Sequence, residues 1–168
     1  MRRRPLLLLP LAALMGCEAL PPAESARLPP NGVEGAGDPT RAAVARSSFF
    51  FARQPPTDDL RAVARAIADM EFLAASLPTD PRYSGDPLLP VRLRQARQEW
   101  RLALGVPMEV PAQAMVDRLW RIHQGAPDPE MAARLLALPA LPRTREAATA
   151  AARAQDQPSG PRLFGRPW

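Results

Sequence analysis

The aspartate-proline pair is the feature that most constrains how this chain folds. It precedes three segments of helical composition, as Asp38-Pro39, Asp86-Pro87 and Asp128-Pro129. An aspartate at the N-cap accepts hydrogen bonds from backbone N–H groups that have no other partner in the first helical turn. Proline suits the next position, because its missing N–H costs nothing there and its φ angle is already helical. Each pair therefore predicts the start of a helix.

Six helices are expected from these starts and from the glycines and prolines that end helices. We place them at about residues 39–53, 58–77, 87–104, 111–124, 129–138 and 144–155. A fourth pair, Asp80-Pro81, is followed by Ser84-Gly85 and predicts a turn. The second helix has the clearest period, with apolar residues at intervals of three and four: Leu60, Val63, Ile67, Met70, Ala74 and Leu77.

Strands and repeats are not indicated anywhere in the sequence. No short segment alternates apolar and polar residues with the β-branched enrichment of a strand, and no unit of a repeat protein recurs. The chain has 168 residues, which suits one modest domain. The prediction is an all-α protein: a small helical bundle of about five to six helices with a disordered N-terminal tether and a disordered C-terminal tail.

The first seventeen residues have the composition of an export signal. Arginines at positions 2–4 precede an apolar run over positions 5–15, which is shorter than the roughly 20 residues that span a bilayer. The run ends in Leu14-Met15-Gly16-Cys17, which resembles the lipobox of bacterial lipoproteins. That resemblance implies cleavage before Cys17 and diacylation of its thiol, and two acyl chains anchor a protein stably. An ordinary signal peptide with an incidental cysteine is the alternative.

Four regions follow from this interpretation: a signal peptide at 1–16, the lipidated cysteine and a disordered tether at 17–37, a helical domain at 38–155 and a disordered tail at 156–168. Residues 18–37 hold four prolines and three glycines without an apolar period. Every basic residue is an arginine, and loss of the leader lowers the excess of basic over acidic residues from five to two. We therefore expect no nucleic-acid partner.

Residues typical of catalysis are not arranged in any familiar motif. No phosphate-binding glycine loop, nucleophile elbow or zinc-protease motif occurs, and the single cysteine and single histidine argue against a Cys/His zinc site. We interpret His123 as a partly exposed side chain favoured by a helix C-terminus, and Asp69 as the surface partner of Arg65. The sequence thus predicts no catalytic residue, metal or cofactor.

A stripe of arginines on the third helix is the one surface feature that suggests a partner. At 100° per residue, Arg94, Arg97 and Arg101 fall in one narrow sector beside the apolar stripe that contains Leu93 and Trp100. Arginine binds phosphate groups through two parallel hydrogen bonds. The stripe is a candidate contact for an anionic surface, such as lipid phosphate, and a solvated flank of a core helix is the alternative.

The expected function is a structural or binding role within an envelope assembly, performed by a lipid-anchored protein on the periplasmic side. Glu18 follows Cys17 in place of the aspartate that resembles an inner-membrane retention signal, which favours the outer membrane. The alternatives are a small enzyme acting on an envelope polymer and a carrier of an apolar ligand. The enzyme needs Glu99, Asp117 or Glu130 to meet His123 in one cleft, and the carrier needs a cavity of about 300 Å³ or more.

Overall fold

The computed structural model of the chain describes residues 24–32, 37–52 and 59–157. Within those ranges all regular structure is helical: α1 Pro39–Ala52, α2 Leu60–Ser76, α3 Leu89–Ala103, α4 Ala112–His123, α5 Pro129–Leu136 and α6 Pro142–Asp156. Short 3-10 turns occur at Pro30–Gly32, Leu77–Thr79 and Pro81–Tyr83. The predicted all-α bundle is confirmed. None of the helices in these ranges combines the length and the apolar character needed to cross a bilayer.

Aspartate caps start the helices much as the sequence indicated. Asp38 accepts a hydrogen bond from the Thr40 backbone N–H at 2.8 Å, and Asp128 accepts one from Met131 at 3.1 Å. Asp86 differs, since it accepts from Leu88 at 2.9 Å and so closes a turn just before α3. In each case the carboxylate satisfies a donor that the helix leaves without a backbone acceptor.

Two glycines end α3 and α4 in the left-handed region that favours glycine. Gly105 has φ +61° and Gly125 has φ +94°. The next residue in each case reaches back to a carbonyl one turn earlier, with Val106 N–H to Arg101 O at 2.8 Å and Ala126 N–H to Arg121 O at 2.8 Å. A glycine with positive φ followed by this backward hydrogen bond is the Schellman motif, and it turns the chain sharply after each helix.

Helix α2 is the centre of the bundle and packs against α1, α3, α4 and α5. The predicted seam is buried at Val63, Ile67 and Met70, while Leu60 and Ala74 are partly buried against the core. The other sides of α2 are buried as well, so the helix is enclosed by its neighbours. The predicted apolar seam therefore accounts for only part of the α2 surface that is buried.

Helix α6 packs against α1 and α3 through a face made almost wholly of alanine. Its start, at Pro142, lies two residues before the predicted one because the cap comes from another helix. Glu99 on α3 accepts from the Thr144 backbone N–H at 2.8 Å and from Arg143 N–H at 3.2 Å. Because Glu99 is distant in sequence from the start of α6, no local sequence pattern indicates this cap.

Residues 24–32, which we call the strap, lie against the bundle and contact α2, α3 and α4. The Ser76 hydroxyl donates to Ala26 O at 3.5 Å, and Gln113 both accepts from Arg27 N–H at 2.7 Å and donates to Arg27 O at 3.1 Å. The prediction that this stretch is part of a disordered tether is therefore wrong for the strap. The predicted leader, Cys17, the rest of the tether except position 37, and residues 158–168 of the tail lie outside the described residues.

The buried apolar contacts predict which substitutions unfold the bundle. Leu93→Ala and Ile67→Ala should each lower the free energy of unfolding by about 2–5 kcal/mol, because both side chains are fully buried. Arg94→Ala should change it by less than about 0.5 kcal/mol, because Arg94 is exposed. Urea titration measures all three, and equal losses would contradict this assignment of the α3 face.

Candidate functional site

The predicted basic stripe on α3 is a surface feature only at Arg94. Arg97 is 9% exposed and Arg101 is 0% exposed. The hypothesis of three arginines facing an anionic surface is wrong for these two, since their guanidinium groups point into the protein and are engaged there. The helical wheel placed them correctly beside Trp100 but could not show that another helix supplies a carboxylate.

That carboxylate is Glu71 of α2, which is itself fully buried. It accepts from Arg97 Nε at 2.8 Å and from the Trp100 indole N–H at 2.9 Å, and it forms a second ion pair with Arg101. Glu24 of the strap completes the group through Arg97. We call Glu24, Glu71, Arg97, Trp100 and Arg101 the Glu71 cluster.

Both arginines of the cluster also fix other parts of the chain. Arg101 Nη1 donates to three carbonyls of the α3–α4 loop, at 3.0 Å to Pro107, 3.0 Å to Met108 and 2.7 Å to Val110. Glu24 accepts from the Ala112 backbone N–H at 2.6 Å, which satisfies a donor at the start of α4. The Arg97 guanidinium lowers the pKa of Glu24. The cluster thus ties α2, α3, the loop and the strap together.

A second buried carboxylate, Asp69, corrects another expectation. It is 0% exposed and pairs with Arg46 of α1 in a bidentate contact, with Nε–Oδ2 at 2.9 Å and Nη2–Oδ1 at 2.7 Å. The predicted surface pair with Arg65 is therefore wrong, although Arg65 lies near enough to act on it electrostatically. Burial raises the pKa of Asp69, while the hydrogen bonds from Arg46 lower it.

His123 is half-buried at the end of α4, as the sequence indicated. Its Nδ1 lies 3.1 Å from Arg61 O and its Nε2 lies 3.5 Å from Arg65 Nη1. Because a guanidinium only donates and a carbonyl only accepts, this arrangement fits the neutral ring with its proton on Nδ1. Burial lowers the pKa of His123. The Nε2 lone pair already faces a donor, so the ring is poorly placed to act as a base.

The carboxylates that an enzyme would need do not converge on His123. Glu99 caps α6, Asp117 accepts from Gln113 at 2.8 Å, and Glu130 pairs with Arg134 at 2.7 Å. Each carboxylate stabilises a helix or a helix start in its own part of the bundle. Among the described residues, no group of three or more potential ligands is placed to hold a metal ion.

An apolar cleft of about 320 Å³ opens between α1, α2 and the segment from α5 to α6. Its lining includes side chains from all of these elements: Phe50, Phe51, Val63, Ile67, Leu135, Leu138, Pro139, Ala140, Leu141 and Arg145. Ile67 and Leu135 are buried, whereas Ala140 and Arg145 are exposed. The cleft therefore has an apolar floor and an open mouth, and sequence reasoning did not find it because its walls come from three separate stretches of the chain.

Buried charge in the Glu71 cluster predicts a large effect of one neutral substitution. Glu71→Gln keeps the side-chain shape but leaves Arg97 and Arg101 without their shared carboxylate, so unfolding should become easier by about 3–5 kcal/mol. The matched control is Glu130→Gln, which breaks an exposed pair four residues apart and should cost about 0.3–0.5 kcal/mol. Similar losses for both variants in urea would show that the cluster is not important for stability.

Titration of His123 predicts a loss of stability on mild acidification. Its pKa is lowered in the folded chain, so as the pH falls through the unfolded value of about 6.5 the unfolded chain binds the proton first. The stabilisation is complete above that pH and is lost below it. His123→Gln should flatten the fall in stability between about pH 7 and pH 5, measured by urea titration at each pH. If the stability of His123→Gln falls with pH as steeply as that of the unsubstituted chain, titration of His123 is not the cause of the fall.

Three features now stand out: an ionic cluster, a neutral histidine held by two arginines, and an apolar cleft. The polar groups of the Glu71 cluster and both ring nitrogens of His123 have partners within the protein, whereas the cleft is open to solvent. Comparison of the chain with protein-family models, curated proteins and solved structures found no match. Function is therefore inferred from the chemistry of these three features.

Proposed function

We propose that this chain is a lipid-anchored envelope protein whose helical domain has a structural or binding role. Acylation at Cys17 would attach it to the membrane, and the domain would face the periplasm. The observation that carries the proposal is the strap, because it joins the stretch after Cys17 directly to the core of the domain. A long free linker between anchor and domain would not need such contacts.

The strap limits how far the domain lies from its anchor. Glu24 is held by Arg97 and by the Ala112 backbone N–H, and it follows Cys17 by only seven positions. Since a residue spans at most about 3.6 Å, the lipid attachment point lies within about 25 Å of Glu24. Such a protein is held close to the bilayer, which suits a part of an assembly more than a freely ranging enzyme.

The state of the acidic residues supports binding over catalysis. Glu99, Asp117 and Glu130 each have a helix-stabilising partner, and the Nε2 atom of His123 faces Arg65. A small enzyme acting on an envelope polymer would need at least one of these groups free in a cleft. The cleft described above is lined mostly by apolar side chains instead, which favours carriage of an apolar ligand as the second candidate function.

Lipidation is tested on the full chain in cells fed a palmitate analogue. Cys17→Ser should abolish labelling and release the protein from the membrane fraction, because serine lacks the thiol that accepts the lipid. Met15→Ala is the matched control, since it changes the leader but keeps Cys17, and it should stay labelled. Continued labelling of Cys17→Ser would refute the anchor.

The membrane that receives the protein is the outer one in this proposal, because Glu18 follows the cysteine. Sucrose-gradient fractionation of the same cells separates the two membranes. Recovery with inner-membrane markers would contradict the outer-membrane location, but it would not contradict lipidation of Cys17.

A further inference from the structure

The cleft between α1, α2 and the α5–α6 segment has a single charged group in its lining. That group is Arg145, one turn into α6 and exposed. The remaining nine lining residues are apolar, and two of them, Phe50 and Phe51, stack edge to face with ring centroids 5.1 Å apart. A ligand that fits must therefore be apolar over most of its length and carry negative charge at one end.

The guanidinium of Arg145 has no carboxylate partner among the described residues. The same is true of Arg94 and Arg143, but of these three only Arg145 lines the cleft. Arg46, Arg97, Arg101 and Arg118 all form ion pairs with carboxylates. Across residues 24–32, 37–52 and 59–157, no hydrogen bond or ion pair uses the side chain of Arg145. Its charge is thus available to a ligand at the mouth of the cleft.

We propose that the cleft binds an amphiphile with one acyl chain and an anionic head group. The chain lies on the floor formed by Ile67 and Leu135, and the head group meets Arg145. A cavity of about 320 Å³ is at the small end of ligand sites, which suits one short chain better than two. This inference deepens the binding role proposed above and names its ligand class.

The cleft lies away from the end of α2 that the strap contacts. The strap end that leads to Cys17 contacts Ser76, at the end of α2, whereas the cleft is lined by Val63 and Ile67 in its first half. At 1.5 Å per residue those positions lie about 14–20 Å from Ser76 along the helix. The cleft is therefore displaced from the strap contact. Because a span of up to about 25 Å between Cys17 and Glu24 also reaches it, the binding test uses a chain without the lipid on Cys17.

The test measures binding to the full-length chain carrying Cys17→Ser, so that the protein has no acyl group of its own. Calorimetric titration uses four single-chain probes below their micelle thresholds: decanoate, monodecanoyl phosphatidylglycerol, decanol and decyltrimethylammonium. The two anionic probes distinguish a free fatty acid from a monoacyl phospholipid. Both should bind more tightly than decanol by about threefold to fivefold, as one exposed ion pair allows, and the cationic probe should bind most weakly.

Two substitutions separate the head-group contact from the apolar contact. Arg145→Gln should remove the preference for anionic probes and leave decanol binding unchanged. Ala140→Trp places an indole at the exposed mouth and should weaken every probe by about tenfold or more, because each buried methylene that is lost changes affinity roughly fourfold. Arg143→Gln is the matched control, since Arg143 is exposed on the same helix but does not line the cleft.

Several results would overturn the proposal. These are no binding of any probe, equal binding of the anionic and cationic probes, or binding that Ala140→Trp leaves unchanged. Dimerisation of the unliganded chain that Ala140→Trp abolishes, measured by sedimentation, would assign the cleft to a second copy instead. Because the chain in these assays carries no lipid, failure here is independent of whether Cys17 anchors the protein in cells.

Discussion

Burial of Glu71 is the constraint on which much of the bundle depends. A carboxylate removed from water loses several kcal/mol of hydration, and only close cationic and hydrogen-bonding partners offset that loss. Arg97, Trp100 and Arg101 supply those partners from one face of α3. The orientation of α3 on α2 is therefore set by charge as well as by apolar packing. All three donors meet this one carboxylate, so a shift of α3 along α2 would break charged contacts as well as apolar ones.

The cluster also explains why the loop and the strap are ordered with the helices. Arg101 has more donors than Glu71 can satisfy, and the surplus goes to the carbonyls of the α3–α4 loop. Arg97 likewise has donors left for Glu24. Satisfying a buried guanidinium completely requires several acceptors, so two irregular segments become part of the core. Asp69 and Arg46 repeat the same solution between α1 and α2.

Local chemistry made the helices predictable, whereas contacts between distant residues did not leave a local signal. The caps at Asp38 and Asp128 and the stops at Gly105 and Gly125 act within one turn, so their sequence patterns located the helix ends. The start of α6 was misplaced because its cap is Glu99, 44 residues before Arg143. Arg97 and Arg101 were assigned to the surface for the same reason: a helical wheel describes one helix and contains no partner. The cleft is formed by three separate stretches of the chain, so no pattern along the chain could indicate it.

The strap has a mechanical consequence for a chain attached at its N-terminal end. Among the described residues, tension applied there reaches Glu24 first and passes through Arg97 to Glu71 at the centre of the bundle. The force is thus delivered to the middle of α2 and α3 and does not peel α1 away from its end. Contacts that share a load in parallel resist it better than contacts that break one after another, and Gln113 and Ser76 hold the same segment beside Glu24. A pull on the N-terminal end of the strap is thus opposed by contacts to α2, α3 and α4 together.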